Sequence, residues 1–253
     1  MRITVLGSGT SHGVPVIGCK CPVCTDTDPR DKRYRSSIMV EEGSSRIVID
    51  TGYEFRLQML RENVSGLDAV LYTHSHADHV SGIDDLRVFS RERNLPIYGN
   101  AETMQFIKEH YAYAFDKDSF PGNPHLVPNV LAPLEEVSIA GIKVIPLPLE
   151  HGRVKKMPVY GYRFSSFAYL PDCTFISPAV FEALKGVRTI MIGALRKTAH
   201  GAHFSFDEAY AAAKKAGADR IYFTHINHET GCEEINSLYE DAESAYDTMV
   251  LEV

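Results

Sequence analysis

The sequence predicts an α/β fold built on mixed β-sheets, on three observations. Short apolar runs rich in β-branched and aromatic residues alternate along the 253 residues with stretches whose apolar residues recur at helical spacing. No low-complexity linker or fixed-period repeat interrupts that alternation. Tight turns between neighbouring runs, as in Ser138-Ile139-Ala140-Gly141-Ile142, make antiparallel hairpins, which a purely parallel sheet lacks.

Taken in order, the chain opens with a strand at 3–6, followed by strands at 37–41 and 46–50, each a run of four or five residues that are mostly Val, Ile, Leu or Met. A helix at 55–62, a strand at 69–72 and helices at 84–93 and 102–113 come next. Strands at 143–149, 160–164 and 167–170 then cluster before a helix at 178–184. The last third alternates a strand at 189–192, a helix at 206–216 and strands at 220–224 and 248–251. Ser205-Phe206-Asp207-Glu208 opens that final helix as a capping box, the serine and glutamate satisfying each other's free backbone N–H.

With 44% hydrophobic residues, the chain can bury a sizeable core, and one domain over 1–253 is expected. The opening Met1-Arg2-Ile3-Thr4-Val5-Leu6-Gly7 is too short an apolar run for a signal peptide, and nothing approaches a membrane span, so a cytoplasmic protein without membrane partners is expected. Five cysteines, three of them within six positions, fit a reduced compartment and metal binding better than a disulfide framework. The formal charge of −7 suits long polyanions such as nucleic acid poorly, because these are held by clustered Lys and Arg.

Thr73-His74-Ser75-His76-Ala77-Asp78-His79 sets three imidazoles and a carboxylate into six consecutive positions after an apolar strand. Neither helix nor strand spacing brings all four together, so the chain must leave the strand and turn to make them converge. His74 and His76 then share one face while Asp78 and His79 reach a neighbouring point, which suggests two adjacent metal ions. A second cluster, Gly18-Cys19-Lys20-Cys21-Pro22-Val23-Cys24, presents three thiols that repel as thiolates unless a cation joins them. A closed structural zinc site there, in the loop at 18–25, needs a fourth ligand, with His228 the leading candidate and Cys232 the alternative.

The H-x-H-x-D-H loop resembles the signature of the metallo-beta-lactamase superfamily, which implies a four-layer αββα sandwich with metals at one edge. Leu147-Pro148-Leu149-Glu150-His151, Ala168-Tyr169-Leu170-Pro171-Asp172 and Ile221-Tyr222-Phe223-Thr224-His225 supply the later ligands at strand ends that this resemblance requires. Together with Gly7-Ser8-Gly9-Thr10-Ser11-His12-Gly13-Val14-Pro15, the cysteines and Thr224-His225-Ile226-Asn227-His228 are similar to the phosphoribosyl cyclic phosphate phosphodiesterase, or PhnP-like, branch. Two departures are His12 within the first loop and the aromatic, Pro-rich stretch 111–133, read as a pocket lid or dimer contact. A pyrroloquinoline-quinone biosynthesis branch shares parts of the opening loop.

The resemblance implies that His74, His76 and His151 hold one ion, that Asp78, His79 and His225 hold the other, and that Asp172 bridges them. Zinc or manganese suits this set, beside structural zinc on Cys19, Cys21, Cys24 and His228. Two cations about 3.5 to 4 Å apart lower the pKa of a shared water, and the resulting hydroxide attacks phosphorus in line. Asp78, Asp172 and His203 form the expected catalytic group, His203 matching the family's non-ligand His that contacts the phosphoryl group or protonates the leaving group. Its neighbour His200 reads as an exposed loop residue. His203, His12 and Arg35 are the candidate substrate contacts. Cys173 and Cys232 read as buried thiols.

The expected function is therefore a dinuclear metal-dependent phosphodiesterase acting on a small phosphate ester, cyclic esters included, with a homodimer as one open partner. The alternatives are a transfer-RNA 3′ processing nuclease, a lactone or thioester hydrolase, and a non-hydrolytic metalloprotein of cofactor biosynthesis.

Overall fold

A computed structural model describes residues 1–91, 93–116, 120 and 122–253. The first half of the chain forms β1 (Arg2–Gly7), β2 (Ser37–Glu42), β3 (Ser45–Ile49), β4 (Ala69–Leu71), β5 (Leu95–Gly99) and β6 (Leu126–Val130). The second half forms β7 (Val137–Ile139), β8 (Ile142–His151), β9 (Met157–Phe164), β10 (Phe167–Leu170), β11 (Phe175–Ile176), β12 (Thr189–Gly193), β13 (Arg220–Thr224), β14 (Ala242–Ser244) and β15 (Val250–Glu252). One sheet has the order β15-β1-β2-β3-β4-β5-β6; the other runs β11-β8-β9-β10-β12-β13-β14, with β7 paired to β8. Each is mixed: antiparallel on one side and parallel through β3 to β6 or through β10, β12, β13 and β14 on the other.

Side-chain alternation sorts the core into three layers. Ile38, Val40, Ile47, Ile49 and Leu71 face inward and meet Phe164, Phe167, Tyr169 and Met191 from the other sheet. Their neighbours Met39, Val48 and Val70 point out, against Phe55 and Met59 of α2 (Phe55–Arg61) and Met104 and Ile107 of α4 (Ala101–His110). Ile190 and Ile192 likewise point out, towards Val180 of α5 (Pro178–Ala183) and Phe206, Ala209 and Ala213 of α6 (Phe206–Lys215). Both faces of each sheet are covered, which is why these strands read as continuous apolar runs. The layers are helix, sheet, sheet, helix, the expected αββα sandwich. No helix of the described residues is long and apolar enough to cross a membrane.

The remaining helices are single turns: α1 (Pro22–Thr25), α3 (Ala77–Val80) and α7 (Cys232–Asn236). The structure corrects two expected elements. Residues 84–93 do not form an α-helix; a 3₁₀ helix over Ile83–Val88 stands there, and position 92 lies outside the described residues. The stretch 111–133 is not wholly an insertion, because Leu126–Val130 is the edge strand β6 of the first sheet. Its positions 117–119 and 121 lie outside the described residues.

Candidate metal centre

The ends of four strands converge at one edge of the sandwich. His74 to His79 follow β4, His151 ends β8, Asp172 follows β10 and His225 follows β13. Leaving a strand this sharply needs unusual backbone: Asp172 and His225 have φ of 41° and 58°, a left-handed conformation that non-glycine residues adopt at a cost. Gly52 lets the loop close in, since a Cβ there would lie 2.4 Å from the Asp78 carbonyl oxygen.

Two sets of donors result. His74, His76, His151 and Asp172 place one ligating atom each within 4.8 Å of one another, and Asp78, His79, Asp172 and His225 do the same. Asp172 belongs to both. Its Oδ2 lies 3.7 Å from His74 Nε2, 3.5 Å from His79 Nε2 and 3.2 Å from His225 Nε2. His79 Nε2, Asp172 Oδ1 and His225 Nε2 are buried without a hydrogen-bond partner. Orphaned polar atoms are costly in a protein interior, and here they converge with carboxylates on common points, as a divalent cation requires. The residues present fit metal.

Electrostatics agrees. Burial opposes charge on Asp172, yet the imidazoles of His225 and His79 hold its carboxyl well below the usual range. Burial also opposes charge on His79, but Asp78, Asp50 and Asp172 outweigh it and raise its pKa well above normal. His74 moves the other way, well down, through burial and the repulsion of His79. The carboxylates thus draw positive charge to this point, as a proton on His79 or as a cation, while His74 stays neutral, the form in which imidazole binds metal.

Sequence reasoning missed the layer behind these ligands. Asp50, fully buried with φ of 64°, accepts from Thr73 N at 2.8 Å and Thr73 Oγ1 at 2.8 Å and lies 2.7 Å from His79 Nδ1. Thr73 Oγ1 also lies 2.9 Å from His74 Nδ1, and the Ala202 carbonyl lies 2.6 Å from His151 Nδ1. Such partners set ring orientation and tautomer. Asp50 closes the apolar run Ile47-Val48-Ile49, and that position, like those of Asp172 and His225, was its only signal in the sequence.

His203 stands over the centre without joining either donor set. Its Nδ1 is 4.0 Å from Asp172 Oδ2, and its ring lies 4.7 Å from the rings of His151 and of His225. Burial and the neighbouring His225 depress its pKa to about 3, so the imidazole is neutral. His200 stacks on it from the outside at 5.5 Å. Beside the centre, a cavity of about 570 Å³ is lined by His76, Glu102, Phe106, His151, Lys155 and Met157 among others. His12 is exposed in its loop. Arg35 does not present a free guanidinium: it pairs with Glu54, donates to the Ser11 carbonyl at 3.0 Å and lies over Tyr53.

The cysteine cluster forms a separate site. Cys19, Cys21, Cys24 and His228 bring their ligating atoms within 4.8 Å of one another, with the Sγ atoms of Cys19 and Cys21 each 3.3 Å from His228 Nδ1. The Cys24 backbone N–H helps to lower Cys21 to about 6, while burial pushes Cys24 up to about 11. A cation is what would ionise all three thiols together. Cys232 is not in this group; it is buried at the start of α7, where its backbone N–H donates to Asp31.

Comparison with known proteins places this geometry in context. A family model described as a beta-lactamase superfamily domain matches residues 45–226. A crystal structure of a diphosphatase from the PhnP family superposes with a TM-score of 0.91 at 38% identity, covering 100% of this chain and 97% of that one. Zn²⁺-bound PqqB from Methylobacterium extorquens shares the fold, with a TM-score of 0.83 at 17% identity over the full length of both chains. An octanoyltransferase of Porphyromonas gingivalis is 37% identical over 230 residues, 90% of this chain but 46% of that protein. The chain spans less than half the length of the curated relatives it matches first.

Proposed function

Because this chain belongs to the metallo-beta-lactamase superfamily, in its PhnP-like branch, we propose that it is a dinuclear metal-dependent phosphodiesterase of small substrates. One observation carries the reading: two donor sets share Asp172, and a neutral, non-ligating His203 faces the shared point. His74, His76 and His151 hold one divalent ion and Asp78, His79 and His225 the other, with zinc or manganese compatible with both. Bound there, the ions supply Lewis acidity and a water made nucleophilic at neutral pH.

The chain's own residues do the rest. Asp172 lies between the two sets and balances their charge. Asp50, Thr73 and the Ala202 carbonyl keep the His79, His74 and His151 rings from rotating. His203, held neutral by burial and by His225, offers an N–H to a phosphoryl or leaving oxygen without adding a cation to the centre. The cavity of about 570 Å³ beside His76 and His151 is large enough for a small organic group. The electrophile is phosphorus with one negative charge and two bridging oxygens, a description that covers a phosphodiester and the diphosphate linkage that the PhnP-family neighbour's name implies.

Elemental analysis and a substrate screen on one preparation test this. About three metals per chain, with turnover of bis(p-nitrophenyl) phosphate, a cyclic nucleotide or a diphosphate diester, is the expected result. Lactone or thioester hydrolysis without phosphodiester turnover overturns it, as does a metal-replete protein inert to every ester.

A further inference from the structure

The four imidazoles that line the buried part of the centre are not held alike. His74, His79 and His151 each have a partner on the nitrogen facing away from the donor cluster, namely Thr73, Asp50 and the Ala202 carbonyl. The outer nitrogen of His225, Nδ1, is buried and has none. A ring without an outer partner takes its direction from its backbone, and the His225 backbone is strained at φ 58°. What fixes that backbone therefore fixes the ligand.

Main-chain bonds hold the segment on two sides: Ile226 N donates to the Ser8 carbonyl at 3.0 Å and Asn227 N to the Leu195 carbonyl at 3.0 Å. Among the described residues, one side chain donates to the main chain of 225–227. Arg33, with its side chain wholly buried, donates from Nη1 to the Asn227 carbonyl at 3.1 Å and pairs through Nη2 with Asp31 at 2.5 Å. The same Asp31 oxygen accepts the Cys232 N–H at 2.9 Å, and Arg33 Nε remains buried without a partner. A buried ion pair with an orphaned donor is an expensive way to fill space; apolar side chains of similar volume serve stability as well or better. Its presence here points to geometry.

We propose that Arg33 is a positioning residue for the metal centre: its two-pronged guanidinium ties Asn227 to Asp31 and so holds the nearby His225 in its ligating conformation. This rests on the reading of His225 as a ligand. Arg33→Lys keeps a cation beside Asp31, but a single ammonium cannot reproduce the planar fork that spans Asp31 and the Asn227 carbonyl.

The experiment measures metal affinity directly, by competition with a chromophoric chelator followed by elemental analysis, with thermal unfolding alongside. R33K should retain the zinc of the cysteine cluster and the parental unfolding temperature within a few degrees, while one catalytic ion binds roughly ten- to a hundredfold more weakly. His225→Ala should lose the same ion. Metal affinity in R33K equal to the parent's, or loss of the cysteine-bound zinc before the catalytic ion, overturns the proposal. A full metal complement in H225A instead overturns the ligand assignment itself, so the two failures are distinct. If R33K does not fold, Arg33→Met combined with Asp31→Leu removes both charges and leaves the Asn227 carbonyl undonated; the same selective weakening is expected, and parental affinity in that variant refutes the role.

Discussion

His203 shows how much a single imidazole depends on where it is not bound. It sits 4.0 Å from Asp172 yet belongs to neither donor set, so its removal should leave the metal content intact while abolishing its contact with substrate. We expect His203→Ala to lower kcat on bis(p-nitrophenyl) phosphate about a hundredfold or more, with unchanged metal stoichiometry; loss of metal would recast it as a ligand. At this scale legibility was uneven. The spacing of His74, His76, Asp78 and His79 has no use in a regular strand or helix, so it pointed to a ligand loop by itself. Asp50 was silent because an aspartate after an apolar strand is ordinary until the fold shows His79 against it. Arg35 looked available in sequence, and only tertiary structure reveals Glu54 beside it.

At the scale of elements, strands with a long apolar run were readable even across Pro146, Pro148 and Gly161, whereas β5 and β6 were not. β5 reads Leu-Pro-Ile-Tyr-Gly and β6 Leu-Val-Pro-Asn-Val, compositions that argue against a strand, yet Pro128 is tolerated because β6 lies at the sheet edge. The single-turn helices α1, α3 and α7 are too short for periodicity to register and owe their form to ligand loops and buried contacts. The capping box of α6 formed as its four residues dictate, Ser205 and Glu208 serving each other's backbone. The loop carrying Cys19, Cys21 and Cys24 packs only a small apolar group of its own, Val14 and Val23 among it, so its order depends on the thiols. Cys24→Ser should release one zinc per chain while the two catalytic ions remain, measured by elemental analysis; retention of three metals would show that the cluster is not a metal site.

For the molecule as a whole, alternation predicted the strands and helices and the superfamily resemblance implied their stacking as a sandwich, whereas the ties between distant segments were not legible. Asp247 is one such tie. It accepts from Ser8 N and Ser8 Oγ, each at 3.0 Å, and from Tyr34 N at 2.9 Å, and it pairs with Arg61 at 3.2 Å. Burial outweighs these donors and pushes its pKa up to about 6. The folded carboxyl therefore takes its proton before the unfolded one does. It contributes stability that is fully present below about pH 4 and is lost as pH rises through about 6, a change of about 3 kcal/mol at most. In urea denaturation, the stability of the parent relative to Asp247→Asn should decline between pH 4 and pH 7. A relative stability that instead grows with pH would mean that Arg61 and the three other donors hold the group ionised.

The candidate ligands are divided between the layers: His74, His76, Asp78 and His79 leave the first sheet, and His151, Asp172 and His225 leave the second. Each seated cation would consequently be shared by both, and the sandwich could not breathe at this edge without shedding ligands. Amide hydrogen exchange should report it. The strand ends around Tyr72 and Thr224 should exchange markedly more slowly in the metal-loaded protein than after chelation, while β7, far along the chain from every ligand strand end but β8, should exchange alike in both.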